Sequence, residues 1–242
     1  MTGLACARWF RRRLGGVTGD TLGGVAAAQR AGGLPGHVGD AGAMSVDAER
    51  PAPLMHAWRH PAPKGAAGRC IGARTDLPVD RRKAKRLAHR IRAIARREGL
   101  PRAVATSPLA RCRDVGRWLR RFGFRHVVDA QLAELDFGRW DGRCWEAIDA
   151  AEIAAWSADL VGHAPGGGES VRVLLSRVRA VHARAPAALL VTHGGWLSAA
   201  VWLALGEAHA PTAATWPKAP GYGRRVALWR LQAPALHRPS DR

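Results

Sequence analysis

Lysine is nearly missing from this chain. Of its 38 basic residues only Lys64, Lys83, Lys85 and Lys218 are lysine, so arginine supplies the other 34. Acidic residues are scarce too, 19 in all, which leaves a net charge of +19. Two readings of that charge stand. One is a solvated basic surface, to which the base composition of the coding sequence contributes. The other is an attraction for anionic substrates, and phosphate esters fit it. Tyrosine occurs once and phenylalanine four times, so any base-stacking surface would fall to the ten tryptophans. No nucleic-acid partner is expected. Cys6, Cys70, Cys112 and Cys144 are far apart and form no CxxC pair, which excludes a zinc knuckle or dithiol motif. They read as reduced thiols of a cytoplasmic protein. No apolar run is long enough to cross a bilayer. Arg8 and Arg11 to Arg13 interrupt the apolar core that a signal peptide needs. No membrane partner is expected.

What is present is enough for one sizeable domain and an appendage: 242 residues, 47% of them hydrophobic. Residues 1–54 are rich in Gly and Ala without a sustained period, and read as a loosely ordered or weakly helical extension. Met44 and Met55 are alternative starts. Residues 55–232 carry the regular pattern, and 233–242 read as a tail. Short apolar strands are expected at 55–59, 103–106, 126–129, 187–192 and 226–231. Helices are expected at 81–98, 109–122, near 145–157, at 169–184 and at 194–205. The first of them places Ala84, Leu87, Ala88, Ile91, Ile94 and Ala95 on one face and arginines on the other, and Gly99 and Pro101 end it. Ser107 reads as the N-cap of the second, with Pro108 in its first turn. Strands alternating with helices imply a mostly parallel sheet covered on both faces.

Two of those strands end in histidine. Met55-His-Ala-Trp-Arg-His60 stops on an Arg-His pair before Pro61, and Leu189-Leu-Val-Thr-His193 stops before Gly194-Gly195. A buried strand that ends on charged residues puts them at the carboxyl edge of the sheet, where open α/β folds build their sites. With arginines available between them, the two histidines point to a phosphate site with a histidine nucleophile.

Five segments in order then resemble the histidine phosphatase superfamily, which is similar to cofactor-dependent phosphoglycerate mutase. They are Arg59-His60, Ser107-Pro-Leu-Ala-Arg111, Leu132-Ala-Glu134-Leu-Asp-Phe-Gly138, Gly168-Glu-Ser170 and Thr192-His193-Gly194. The resemblance implies a three-layer α/β/α sandwich with a mostly parallel central sheet. Within the superfamily, Arg59-His-Pro61, Gly68-Arg-Cys-Ile-Gly-Ala-Arg-Thr-Asp-Leu-Pro78 and Leu132 to Gly142 resemble the α-ribazole 5′-phosphate phosphatases. Ile71 stands where those enzymes often carry an aromatic. Separately, Arg12-Arg13-Leu-Gly-Gly-Val-Thr-Gly-Asp-Thr-Leu-Gly-Gly24 resembles the C-terminal signature of cobalamin 5′-phosphate synthases. That stretch reads as a remnant of a neighbouring gene and points to the same pathway.

The resemblance implies roles. His60 is the expected nucleophile, since a neutral imidazole nitrogen can attack phosphorus and give a phosphohistidine. Arg59 and Arg111 are expected to hold the phosphoryl oxygens with planar forks. His193 would donate to the same oxygens, and the helix start at Gly194 would add backbone N–H groups. Glu134 is the expected general acid and base, with Asp136 its competitor. Arg74, Thr75 and Ser170 are further substrate-binding candidates, and Asp76 is expected to fix the loop that carries the first two. Trp140, Trp145, Trp156 and Trp216 are candidates to stack on a benzimidazole, though each also reads as packing. No metal or cofactor is implied; the arginines supply the charge. The bland alternatives are a surface histidine at 60, a satisfied strand-end histidine at 193 and a solvated Glu134.

The expected partner is a small-molecule phosphate ester, and the expected activity is release of α-ribazole from its 5′-phosphate. Rival readings are a broad sugar-phosphate phosphatase, a mutase, and a non-catalytic basic protein that binds nucleic acid or another anion.

Overall fold

The computed structural model describes residues 55–185, 187–206 and 209–229. The extension at 1–54, with the Gly-rich stretch at 12–24, and the tail at 233–242 lie outside the described residues, as do the expectations placed on them.

Among the described residues, five strands form one sheet in the order β3-β2-β4-β1-β5. They are β1 (Met55–Arg59), β2 (Ala103–Thr106), β3 (Arg125–Val128), β4 (Leu189–Thr192) and β5 (Arg225–Leu228). β1, β2, β3 and β4 run parallel, and β5 pairs antiparallel with β1. The helices are α1 (Arg81–Arg97), α2 (Ala110–Arg121), α3 (Ala150–Ala158), α4 (Val171–Arg184) and α5 (Gly194–Leu205).

Side chains alternate across a strand, so each strand feeds two cores. Trp58, Val104, Leu189 and Val191 pack with Leu87, Ile91, Val115 and Leu119 of α1 and α2. Met55, Ala57, Ala105 and Leu190 pack instead with Ile153, Leu174, Val178 and Trp196 of α3, α4 and α5. These two cores make the three layers. Central strands buried on both faces must be apolar throughout, and β4 is buried at all four positions.

The expected α2 and α4 begin late, and the reasons are local. Ser107 is not the cap of α2, whose N-cap residue is Leu109. Asp76, 34 residues upstream, does that work by accepting from Ala110 N–H at 2.6 Å. α4 starts at Val171 rather than 169, because Glu169 turns away to pair with Arg177. The helix expected near 145–157 is a 3-10 turn at Trp145–Ala147 followed by α3 from its cap Asp149. α1 starts on Asp80, which accepts from Arg82 and Lys83 N–H, and it stops at Glu98 before Gly99 at φ 63°.

Candidate active site

Register brings the two histidines together. Arg59 pairs with Thr192 across β1 and β4, so the next residue of each strand, His60 and His193, leaves the sheet edge side by side. Their ring centroids are 5.0 Å apart. β2 ends one step away, and Ser107 N–H donates to Val191 O at 3.1 Å. The β2–α2 connection then delivers Arg111, and the segment after β3 delivers Glu134. Arg59, His60, Arg111 and Glu134 line one cleft, with Pro63, Ala66, Arg69, Ile71, Phe137, Trp145 and Tyr222 as its other walls. Its open space is about 420 Å³.

His60 is 4% exposed, and its Nδ1 lies 2.7 Å from Pro61 O. A carbonyl only accepts, so Nδ1 carries the hydrogen and Nε2 carries the lone pair. Burial, and then the charges of Arg111 and Arg59, hold its pKa well below 6.5. The imidazole is therefore a neutral base at physiological pH. Burial and then Arg111 hold His193 well below 6.5 too.

Arg111 is 1% exposed. Its NH1 donates to Thr75 O at 2.7 Å, its NH2 to Gly72 O at 2.8 Å and its Nε to His193 Nδ1 at 3.2 Å. Three of its five N–H groups are thus used to fix the plane, and two remain. Arg59 donates from NH1 to Pro220 O at 2.8 Å, and its Cζ lies 3.9 Å from the centroid of the Tyr222 ring. Burial lowers the Arg59 pKa. Gly194 leaves room for this arginine, because a Cβ there would stand 3.1 Å from Arg59 Cζ.

The Glu134 carboxylate lies against the first turn of α5. Oε2 accepts from Gly195 N–H at 3.0 Å, and Oε1 accepts from Trp196 N–H at 3.2 Å and Leu135 N–H at 3.0 Å. Of about four acceptor sites on a carboxylate, one is left. The expectation that the start of α5 offers its N–H groups to phosphate is narrowed: Glu134 takes those of Gly195 and Trp196 and not that of Gly194. Asp136 is not its equal, since it accepts from Arg74 Nε at 2.7 Å and Gly138 N–H at 2.8 Å and lies off the cleft wall.

Other expected residues are placed differently. Arg74 is ion-paired with Asp136 and 58% exposed, so its side chain faces solvent and not the cleft. Thr75 contributes a backbone carbonyl to Arg111 rather than a side-chain contact to substrate. Ser170 is the N-cap of α4 and is not part of the cleft wall. His193 is fully buried beside His60, with Nδ1 3.2 Å from Arg111 Nε and Nε2 2.7 Å from Ser107 Oγ. Of the four tryptophans, Trp145 reaches the cleft. Trp156 and Trp216 line a separate apolar cavity on the other side of Glu134, and Trp140 is fully buried with its Nε1–H on Glu152.

Tyr222, Arg69 and Arg177 escaped the sequence reading. Tyr222 is the chain's one tyrosine, and it precedes the strand that pairs beside His60. Its ring is 5.5 Å from that of His60. Arg177 joins Glu169 at 2.6 Å and donates to the carbonyls of Gln131, Ala133 and Glu134, so it clamps the segment that carries the carboxylate. Nothing in a chain with 34 arginines marks it out. Among the described residues no three His, Cys, Asp or Glu side chains converge as a metal site, and no helix is long and apolar enough to cross a membrane.

The sequence profile of the histidine phosphatase superfamily (branch 1) matches residues 55–217. The chain belongs to that superfamily. Solved members share its fold. A phosphoglycerate mutase from Thermus thermophilus is 26% identical, with a TM-score of 0.53 over 74% of this chain and 97% of that one. A mycobacterial glucosyl-3-phosphoglycerate phosphatase is 24% identical, with a TM-score of 0.55 over 74% and 99%. A putative α-ribazole-5′-P phosphatase from Escherichia coli is 22% identical, with a TM-score of 0.57 over 75% and 96%. No curated protein sequence matches the chain.

Proposed function

We propose that this histidine phosphatase hydrolyses a phosphate monoester through a phosphohistidine, and that its substrate is α-ribazole 5′-phosphate. The observation that carries the chemistry is the tautomer of His60. Its hydrogen is spent on Pro61 O, which leaves the Nε2 lone pair in a cleft walled by Arg59, Arg69 and Arg111. Nε2 attacks phosphorus, and the bond from phosphorus to the ester oxygen breaks. Glu134 gives the departing alkoxide a proton. Water then attacks the phosphohistidine, Glu134 takes its proton, and inorganic phosphate leaves. Arg59 and Arg111 neutralise charge on the phosphoryl oxygens throughout.

The substrate rests on other features. The motifs from Arg59 to Pro61, Gly68 to Pro78 and Leu132 to Gly142 resemble those of α-ribazole phosphatases, apart from Ile71. Phe137, Trp145 and Ile71 give the cleft an apolar wall suited to a flat heterocycle. Arg69 favours a second reading, because its charge in the cleft wall, beyond the two site arginines, suits an alcohol that bears another anion, as in a phosphoglycerate.

The test is phosphate release, with EDTA present, from α-ribazole 5′-phosphate, 3-phosphoglycerate and p-nitrophenyl phosphate, for wild type and His60→Ala. A strong preference for the ribazole ester, lost in the variant, is the expected result. Preference for phosphoglycerate moves the substrate to the second reading. Turnover that survives His60→Ala, or no turnover of any ester, overturns the mechanism.

A further inference from the structure

We infer that Ser107 and Cys112 are positioning residues that act through His193 to aim Arg111 at the phosphoryl group, as links in a hydrogen-bond chain whose direction is fixed at both ends. The inference rests on the reading of the cleft as a phosphoryl site. At one end is Arg111, whose Nε only donates, 3.2 Å from His193 Nδ1. Nδ1 must accept, so the neutral ring carries its hydrogen on Nε2. Nε2 is 2.7 Å from Ser107 Oγ, which therefore accepts. The Cys112 sulfur lies 3.4 Å from the same Nε2 and 3.9 Å from Nδ1, a second and weaker acceptor for that hydrogen. Cys112 Sγ reaches Thr192 O at 3.6 Å, and a carbonyl only accepts. The donors thus run from Arg111 to His193, from His193 to Ser107 with Cys112 beside it, and from Cys112 to the Thr192 peptide. The same carbonyl accepts the backbone N–H of His60 at 3.0 Å.

Burial gives the chain its force. Arg111 is 1% exposed, and Ser107, Cys112 and His193 are 0% exposed, so water does not replace a lost partner. The charged neighbours of His193 are Arg111, Arg59 and Arg177, with His60 beside it, and all of them favour the neutral ring. Arg111 has two anchors on the loop after His60, at Gly72 O and Thr75 O. The third, His193, ties it to the sheet. Without Ser107 only the weakly accepting Cys112 sulfur is left at Nε2, and the ring more readily places its hydrogen on Nδ1, where it would face the Arg111 Nε–H donor to donor. Arg111 would then follow the loop and not the sheet edge.

The experiment uses the full chain labelled with 15N-histidine, as wild type, Ser107→Ala and Cys112→Ala, with melting curves as a check on folding. The 15N shifts of His193 read its tautomer, titration with inorganic phosphate reads the anion site, and ester turnover reads kcat and KM. Wild type is expected to show the Nε2–H tautomer. Ser107→Ala is expected to lose it, to weaken phosphate binding about ten- to a hundredfold, and to raise KM by a similar factor. In a His193→Ala background, Ser107→Ala is expected to cost nothing further. An Nδ1–H tautomer in wild type overturns the inference with no variant needed. So does a Ser107→Ala protein that keeps both tautomer and phosphate affinity, or one whose losses add to those of His193→Ala. If Ser107→Ala does not fold, Cys112→Ala decides: a shift of the His193 tautomer supports the chain, and an unchanged spectrum refutes it. Wild-type protein that shows the tautomer and binds phosphate but turns over no ester supports the chain and overturns the proposed reaction.

Discussion

Gly195→Ala separates the proposed acid from the rest of the site. A Cβ at Gly195 would lie 2.6 Å from Glu134 Oε1, 3.4 Å from its Cδ and 3.7 Å from its Oε2. The intruding methyl meets the far end of a flexible side chain, so the carboxylate moves and the backbone stays. Restoring ordinary contact takes a displacement of roughly 0.8 Å, enough to weaken the bonds from Gly195 and Trp196 N–H. Losing part of those bonds costs about 1–2 kcal/mol, and replacing Gly by Ala in a helix returns up to about 1 kcal/mol. The melting temperature is therefore expected to change by only a few degrees. Catalysis is expected to change much more, because misplacing a reacting group by about 1 Å costs on the order of a hundredfold. The assay compares two esters. An alkyl phosphate needs its leaving oxygen protonated, and p-nitrophenyl phosphate hardly does. The expected result is a fall in kcat of about thirty- to a hundredfold on the alkyl ester, with a much smaller fall in the phosphorylation step on the nitrophenyl ester. Equal losses on both esters, or none on either, would refute the assignment of Glu134 as the proton donor.

Three further outcomes are expected. Burial holds His60 and His193 well below 6.5, and shifts His56, His126 and His182 the same way. The unfolded chain therefore binds protons first as pH falls below about 6.5, and each fully buried histidine removes up to about 1.4 kcal/mol of stability per pH unit. Melting curves between pH 8 and 5 should show stability intact above about pH 6.5 and falling below it; a flat profile would contradict the assignment. Arg177→Met strands the half-buried Glu169 and releases the carbonyls of Gln131, Ala133 and Glu134, so a loss of about 2 kcal/mol and a lower kcat are expected from denaturant titration and turnover. Asp76→Ala removes the bond to Ala110 N–H at the start of α2, which costs about 1 kcal/mol, with a rise in KM because the adjacent Thr75 O holds Arg111. Unchanged melting and KM would show that this contact orders nothing.

The sheet was legible because its signal is local. A buried parallel strand must be apolar over four or five residues, and a helix on its face must be apolar every third or fourth. Both patterns are visible in Met55 to Arg59, Ala103 to Thr106 and Leu189 to Thr192, and in Ala84 to Ala95. Errors fell at the ends of elements, where partners come from elsewhere. Ser107 looked like the N-cap of α2, yet Leu109 holds that position, the Ser107 hydroxyl serves His193 and Leu109 N–H, and Asp76 takes Ala110 N–H.

The site divides the same way. By themselves, the residues between 55 and 217 determined the superfamily, the strand ends that carry His60 and His193, and the kinds of group that a phosphoryl site needs. Those follow from residue type and order along the chain. Tertiary structure decided which of 34 arginines count and what each candidate touches. It put Arg69 in the cleft wall beside the expected Arg59 and Arg111, set Arg177 against the Glu134 backbone and left Arg74 in solvent; it turned the α5 amides to Glu134 and brought Tyr222 beside His60. The physical reason is that a guanidinium or carboxylate acquires its role from burial and donor direction, and both are set by strands and loops that meet only when the chain is folded.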